Sequence, residues 1–258
     1  MKKVYIVLNS LSGCVRLVLE RGDFVLIDYV AKIAETNEVF DTTIEDVARK
    51  EGIYQEGGLY EPKLAVIGEG WVLKSLDEAL LGLEVGKTAT IEIPPEKGFG
   101  NRDPEKLKMY PMRKFIAQGI TPRVGMRIEV DGKVATVRSI GAGRVQLDFN
   151  PPLAGKTLIY EVTVRKKLEA VEEKIEALIH RRIPQVDIKK FAFEIGAEDV
   201  TINIPEEAFY IEGLQVIKRG IFMDIQKFFP DKRIVRFIEV FRRKEEPSLT
   251  APSSAANP

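Results

Sequence analysis

Val25, Ile27, Tyr29, Ala31 and Ile33 recur at every second position between Asp23 and Ile33. A period of two belongs to a strand with one buried face; on a helix the same residues would scatter around the axis. The pattern returns at Lys87 to Ile93 (Ala89, Ile91, Ile93), closed by Pro94-Pro95, and at Leu158 to Val164 (Leu158, Tyr160, Val162, Val164). After the turn Glu35 to Glu38, Val39-Phe40-Asp41 begins another strand, and Pro62 to Gly68 reads as a further short apolar one. Two helices are predicted between them. Thr42 to Gly52 has Thr42 and Glu45 at capping-box spacing and a glycine to end it. Trp71 to Leu81 puts Val72, Leu76, Ala79 and Leu80 on one side and stops at Gly82.

From Asn101 to Asp148 the character changes. "MYPMRKFIAQGI" gathers Met109, Tyr110, Met112, Phe115 and Ile116 within eight residues. Two short runs follow, Gly125 to Val130 and Lys133 to Ile140, joined by Asp131-Gly132, a strong type I′ hairpin signal. Gly141 to Gly143 turn the chain into a third run, Arg144 to Asp148, so this segment is predicted to be a small β-rich module. Beyond it, Leu168 to Arg182 carries a helical apolar stripe (Leu168, Val171, Ile175, Leu178, Ile179) halted by Pro184. Two short strands (Phe191 to Ile195, Val200 to Ile204), a helix (Gly213 to Phe229) and a last strand (Arg233 to Phe241) complete an α-β-β-α-β order. The final "KEEPSLTAPSSAANP" is polar and proline-rich and is expected to be disordered.

Length and charge limit the function classes. The 258 residues suffice for one large domain or two to three small ones. Lys+Arg and Asp+Glu balance at 39 each, which argues against nucleic-acid binding through a basic excess. A lone Cys14 excludes an internal disulfide and fits a reducing, cytoplasmic setting; a lone His180 excludes a histidine-rich metal site, and no cofactor is expected. The apolar run Val4 to Leu8 is too short for a secretory h-region, so residues 1–21 are expected to be an N-terminal extension. Nothing approaches the roughly 20 apolar residues of a membrane span. "GEG" and "GAG" lack the spacing of a phosphate loop.

Four segments carry a resemblance: "VLIDYVAKI", "VFDTT", "GEGWVLKSLDEALLGLEVGKTATIEIPPEKGFG" and "PPLAGKTLIYEV". In these the chain, over about residues 22 to 168, resembles the FKBP-type peptidyl-prolyl cis/trans isomerases. The resemblance implies an α+β fold, an FKBP-like antiparallel half-barrel sheet wrapping a short helix. It implies a catalytic cleft lined by Tyr29, Phe40, Asp41, Val72, Leu73, Leu76, Phe99 and Tyr160, with Asp41 orienting Tyr29. Leu76 falls where the family usually has a tryptophan floor, and Pro151 falls where the chaperone branch often has histidine. Some fifty residues lie between Phe99 and "PPLAGK" where ordinary members have a short flap. That resembles the chaperone branch, whose insert-in-flap domain binds unfolded or nascent polypeptides, and the C-terminal addition resembles the long archaeal members.

The expected organisation is an isomerase domain at 22–101 and 149–168, an inserted small β-rich domain at 102–148, a C-terminal α/β domain at 169–243 and a tail from 244. Taken singly, Tyr29, Phe40 and Tyr160 are ordinary strand aromatics and Asp41 is a turn cap; their joint order favours the cleft. The apolar cluster of the module is either its own core or client surface. A module this small can bury only part of it, so Met109, Met112 and Phe115 are expected to be exposed client contacts, with Tyr110 and Ile116 beside them. His180 is expected to be a solvated helix-end residue. A non-catalytic holdase with a vestigial pocket is the alternative. The C-terminal domain is a candidate homodimer contact, which a monomeric sedimentation profile would remove.

Overall fold

The computed structural model describes residues 18–242. The N-terminal stretch with Cys14 and the expected tail lie outside the described residues. The chain divides into two units, Met1–Leu168 and Glu169–Pro258.

The first unit runs β1 (Phe24–Ile33), β2 (Val39–Thr42), α1 (Glu45–Lys50), β3 (Lys63–Val66), α2 (Lys74–Leu80) and β4 (Thr88–Ile93). It continues through β5 (Leu107–Pro111), α3 (Met112–Ile116), β6 (Arg127–Val130), β7 (Lys133–Gly141), β8 (Arg144–Asp148) and β9 (Leu158–Leu168). The first and last strands are partners: β1 pairs antiparallel with β9, β4 lies on the other side of β9, and β2 and β3 both pair with β1. The five alternating residues of β1 are all buried, with Leu158, Tyr160, Val162 and Val164 of β9 and Leu76 and Leu80 of α2. The class is therefore α+β, an antiparallel sheet closed over a short helix. Leu19, in the stretch read as an extension, is buried in this core, and its backbone bonds Gly82 and Leu83.

Both helices are shorter than the sequence suggests, for local reasons. Thr42 does not cap α1 by a box with Glu45; its hydroxyl donates to the Tyr29 carbonyl and accepts from the Ile44 N–H. α2 starts at Lys74 because Leu73 is extended (φ −51°, ψ 135°).

β5 to β8 form a separate four-stranded sheet in the order β5-β8-β7-β6. The expected hairpin is present: Asp131 (φ 53°) and Gly132 (φ 74°) both take the left-handed conformation of a type I′ turn. At the neck, the Asp103 N–H donates to Asn150 Oδ1 and the Asn150 amide donates back to the Asp103 carbonyl, both at 2.9 Å. Arg102 is ion-paired with buried Asp148 beside them.

The second unit contains α4 (Val171–Arg182), β10 (Ala192–Ile195), β11 (Asp199–Ile204), α5 (Leu214–Phe228) and β12 (Ile234–Glu239). β11 pairs antiparallel with β10 and parallel with β12, the parallel pair spanned by α5. α4 and α5 are joined by Arg182, which grips Asp224 bidentately at 2.8 and 3.0 Å. His180, expected to be solvated, is half-buried in the last turn of α4. Among the described residues no helix is long and apolar enough to cross a membrane.

Candidate active site

Strand register brings the tyrosines together. Tyr29 lies opposite Val162, and Ala31 opposite Tyr160, so both phenols share one face and meet diagonally across the small Ala31. Their ring centroids are 5.7 Å apart with planes at 50°. Ile91 of β4 stands opposite Tyr160 on the same face.

Phe40 and Asp41 reach that face through a bulge. Ala31 pairs with Asp41 but Lys32 pairs with Val39, leaving Phe40 as an extra residue in β2. Consecutive strand residues normally point to opposite faces, and a bulge re-aims one of them. The Phe40 ring meets Tyr160 edge-on (6.1 Å, 81°), while the Asp41 carboxylate accepts the Tyr29 hydroxyl at 2.8 Å. Leu76 is fully buried in the same apolar cluster, and Phe40, Val72 and Leu73 are half-buried against it. Ile91 and Leu153 pack there too. Neither is among the expected lining residues, although the period of two puts Ile91 on the inward side of its strand.

Phe99 is less enclosed than the rings of Tyr29, Phe40 and Tyr160. It is 41% exposed, between Gly98 and Gly100 after a 3₁₀ turn, Pro95–Lys97. Among the described residues no ring contact joins it to Tyr29, Phe40 or Tyr160. The turn itself is seated: a β-carbon at Gly98 would lie 3.5 Å from Leu158 Cδ1 and 3.6 Å from Ile93 Cγ2. Phe99 is therefore exposed where the chain departs for the four-stranded sheet.

One residue absent from the expected lining, Asp77, anchors the loop that leads to Val72 and Leu73. The buried Asp77 carboxylate of α2 accepts the N–H of Gly68 at 3.0 Å and of Gly70 at 2.9 Å. Both glycines have positive φ (90° and 66°), which the tight loop before Val72 and Leu73 requires. The available signal was an acid in the first turn of a short helix after "GEG".

Burial pushes the Tyr29 phenol well above its ordinary range, and the hydrogen bond and charge of Asp41 push it further. Burial, then Asp41, pushes Tyr160 up to about 12. Both phenols are thus neutral donors at physiological pH, not bases. A raised folded-state pKa means that the phenols favour folding fully below the unfolded value of about 10; the Tyr160 contribution is lost as pH rises through about 12 and that of Tyr29 at still higher pH. The folded protein is expected to show a late tyrosinate absorbance rise near pH 12 that Tyr160→Phe removes. An unchanged titration in that variant would refute the assignment.

The inserted sheet offers a second candidate surface, and it corrects two expectations, the exposure of Phe115 and of Met112. Phe115 is not exposed. It is fully buried among Ile128, Val130, Ala135, Val137, Val145 and Leu147. Those strands supply only aliphatic side chains, so one large ring is needed to fill the space beneath them. Tyr110 and Met112 are half-buried against this core. Met109 (53%) and Ile116 (63%) are exposed, joined by Val124, Met126, Val134 and Ile140, which the sequence reading did not select.

A short-type peptidyl-prolyl cis-trans isomerase of Methanocaldococcus jannaschii is 37% identical over 155 residues, which cover 60% of this chain and 98% of the relative. The chain belongs to the FKBP-type peptidyl-prolyl cis-trans isomerases. Another relative, the FKBP-type isomerase SlyD of Treponema pallidum, is 34% identical over 120 residues, 45% of this chain and 68% of that protein. Human FKBP10 is 29% identical over 152 residues, 56% of this chain but 23% of its own length. Within the FKBP-type isomerases, residues 108–153 match the family described as FKBP26, IF domain, and residues 171–242 the one described as FKBP26 C-terminal.

Proposed function

We propose that the chain is a peptidyl-prolyl cis/trans isomerase that also holds unfolded polypeptide on its insert. The observation that carries the reading is the ring cluster of Tyr29, Phe40 and Tyr160 with Leu76, in which the two tyrosines are buried, Phe40 is half-buried, and Tyr29 is tied to Asp41. Rotation about an X-Pro bond faces a barrier of ~18–20 kcal/mol because C–N resonance must break. No nucleophile is required. The planar amide is dipolar and well solvated, whereas the twisted amide is less polar, so an apolar surface favours the twisted form. Each ~1.4 kcal/mol of that preference is about tenfold in rate. In this reading residues 22–101 and 149–168 form the isomerase domain, 102–148 the client-holding insert and 169–243 a separate α/β domain. Val72 and Leu73 form the wall, Leu76 the floor, and Phe99 closes the rim from outside. The exposed Met109 and Ile116 support client contact, because flexible apolar side chains adapt to many partners.

Turnover of a short proline peptide, compared with proline-limited refolding of an unfolded protein, tests the reading. Phe40→Ala is expected to slow both by about tenfold, the loss of roughly 1.4 kcal/mol of transition-state preference. Deleting residues 103–147 is expected to leave peptide turnover nearly intact and to collapse the refolding rate, since capture raises the local concentration of prolines. Unchanged peptide turnover in a folded Phe40→Ala protein would favour a holdase with a vestigial pocket.

A further inference from the structure

The charge balance of the whole chain conceals a separation along it. Residues 102–148 hold ten Lys and Arg against five Asp and Glu, while 22–101 and 149–168 together hold 11 against 17. A positively charged insert thus grows from a negatively charged isomerase body. Two of the ten cations are engaged internally, Arg102 with Asp148 and Lys114 with Asp131. The other eight form no ion pair among the described residues.

Strand pairing sets part of this charge beside apolar side chains. The buried apolar strand residues of the insert pack in one cluster with Phe115. On the opposite face, Met109 lies across from Gln146, and Val134 across from Glu129. Arg127 lies across from Thr136, and Arg144 across from Pro111 and Gly141. Arg138 is the extra residue of a bulge in β7 between Val137 and Ser139. Met109, Val134, Arg127, Arg138 and Arg144 are all exposed.

We propose that this outer face of the insert selects acidic, apolar stretches of unfolded polypeptide. The inference rests on the chaperone reading above and narrows it to a client class. Apolar contact supplies non-directional affinity, and the surrounding guanidinium groups supply the choice. Each exposed ion pair adds only about 0.2–1 kcal/mol, but several acting together steer association and penalise a like-charged partner. The acidic body repels the stretch that the insert attracts. An anionic anchor therefore stays on the insert while a neutral or basic prolyl segment nearby is left to reach the tyrosines.

The test is the fluorescence anisotropy of two labelled, proline-free peptides titrated with the full chain. The peptides share length and apolar residues; one carries glutamate and the other lysine at every polar position. The glutamate peptide is expected to bind at least about tenfold tighter at low salt, roughly 1.4 kcal/mol. The advantage should vanish near 1 M salt, where the Debye length is about 3 Å. Replacing Arg127, Arg138 and Arg144 by Gln is expected to equalise the two affinities without changing short-peptide turnover. Equal affinities for the unaltered protein overturn charge selection and leave the chaperone reading standing, while binding of neither peptide overturns both. Tighter binding of an oligouridylate that displaces the glutamate peptide overturns the polypeptide assignment in favour of RNA.

Discussion

Phe115→Ala is expected to unfold the insert while the five-stranded sheet stays folded. Removing a buried Phe side chain costs about 3–5 kcal/mol. The insert has seven buried apolar side chains, of which Phe115 is the largest, and Tyr110 packs edge-on against its ring at 6.2 Å. A core of this size rarely supplies more than about 3–5 kcal/mol in total, so the deletion consumes nearly all of it. Hydrogen exchange should show loss of protection in β5 to β8 with β1 and β9 unchanged. Short-peptide turnover should persist while refolding of an unfolded protein slows. Retained protection in β7 and β8 would mean that the insert draws its stability from elsewhere.

The second large effect is expected at Asp77. In Asp77→Ala the N–H groups of Gly68 and Gly70 lose their acceptor, at about 1–3 kcal/mol for each group left unsatisfied. The loop then releases Val72 and Leu73 from the wall. The catalytic efficiency kcat/KM on short peptides should fall by roughly tenfold to a hundredfold, about 1.4 kcal/mol per factor of ten. Asp77→Asn keeps one oxygen to accept and should fall between the two. That graded rescue separates positioning from a general loss of fold. A folded Asp77→Ala protein with wild-type kcat/KM would show that the loop holds its place unaided.

The strands were legible because burial of one face imposes a period of two, and β1, β4 and β9 keep it. The bulge at Phe40 was not legible: Val39-Phe40-Asp41 carries no mark that one residue is skipped, and only pairing with Ala31 and Lys32 reveals it. The tyrosines and Asp41 could therefore be named, but not the way in which neighbouring residues come to share a face. Trp71, Val72 and Leu73 looked helical because their spacing suits α2, yet Asp77 pins the loop before them and delays the helix. In the insert, five apolar residues within eight offered no way to choose which turns inward, since that depends on the sheet packing above them. The charge separation was hidden by summing over the whole chain, where acid and base cancel.

The reciprocal bonds between Asp103 and Asn150 hold the outgoing and returning chain side by side. A segment whose two ends already touch can be exchanged at small entropic cost, because closure depends only weakly on loop length. The insert is in this sense a cassette: another module with ends equally close could be spliced in at the neck, redirecting what the tyrosines meet without altering a residue of the sheet that bears them.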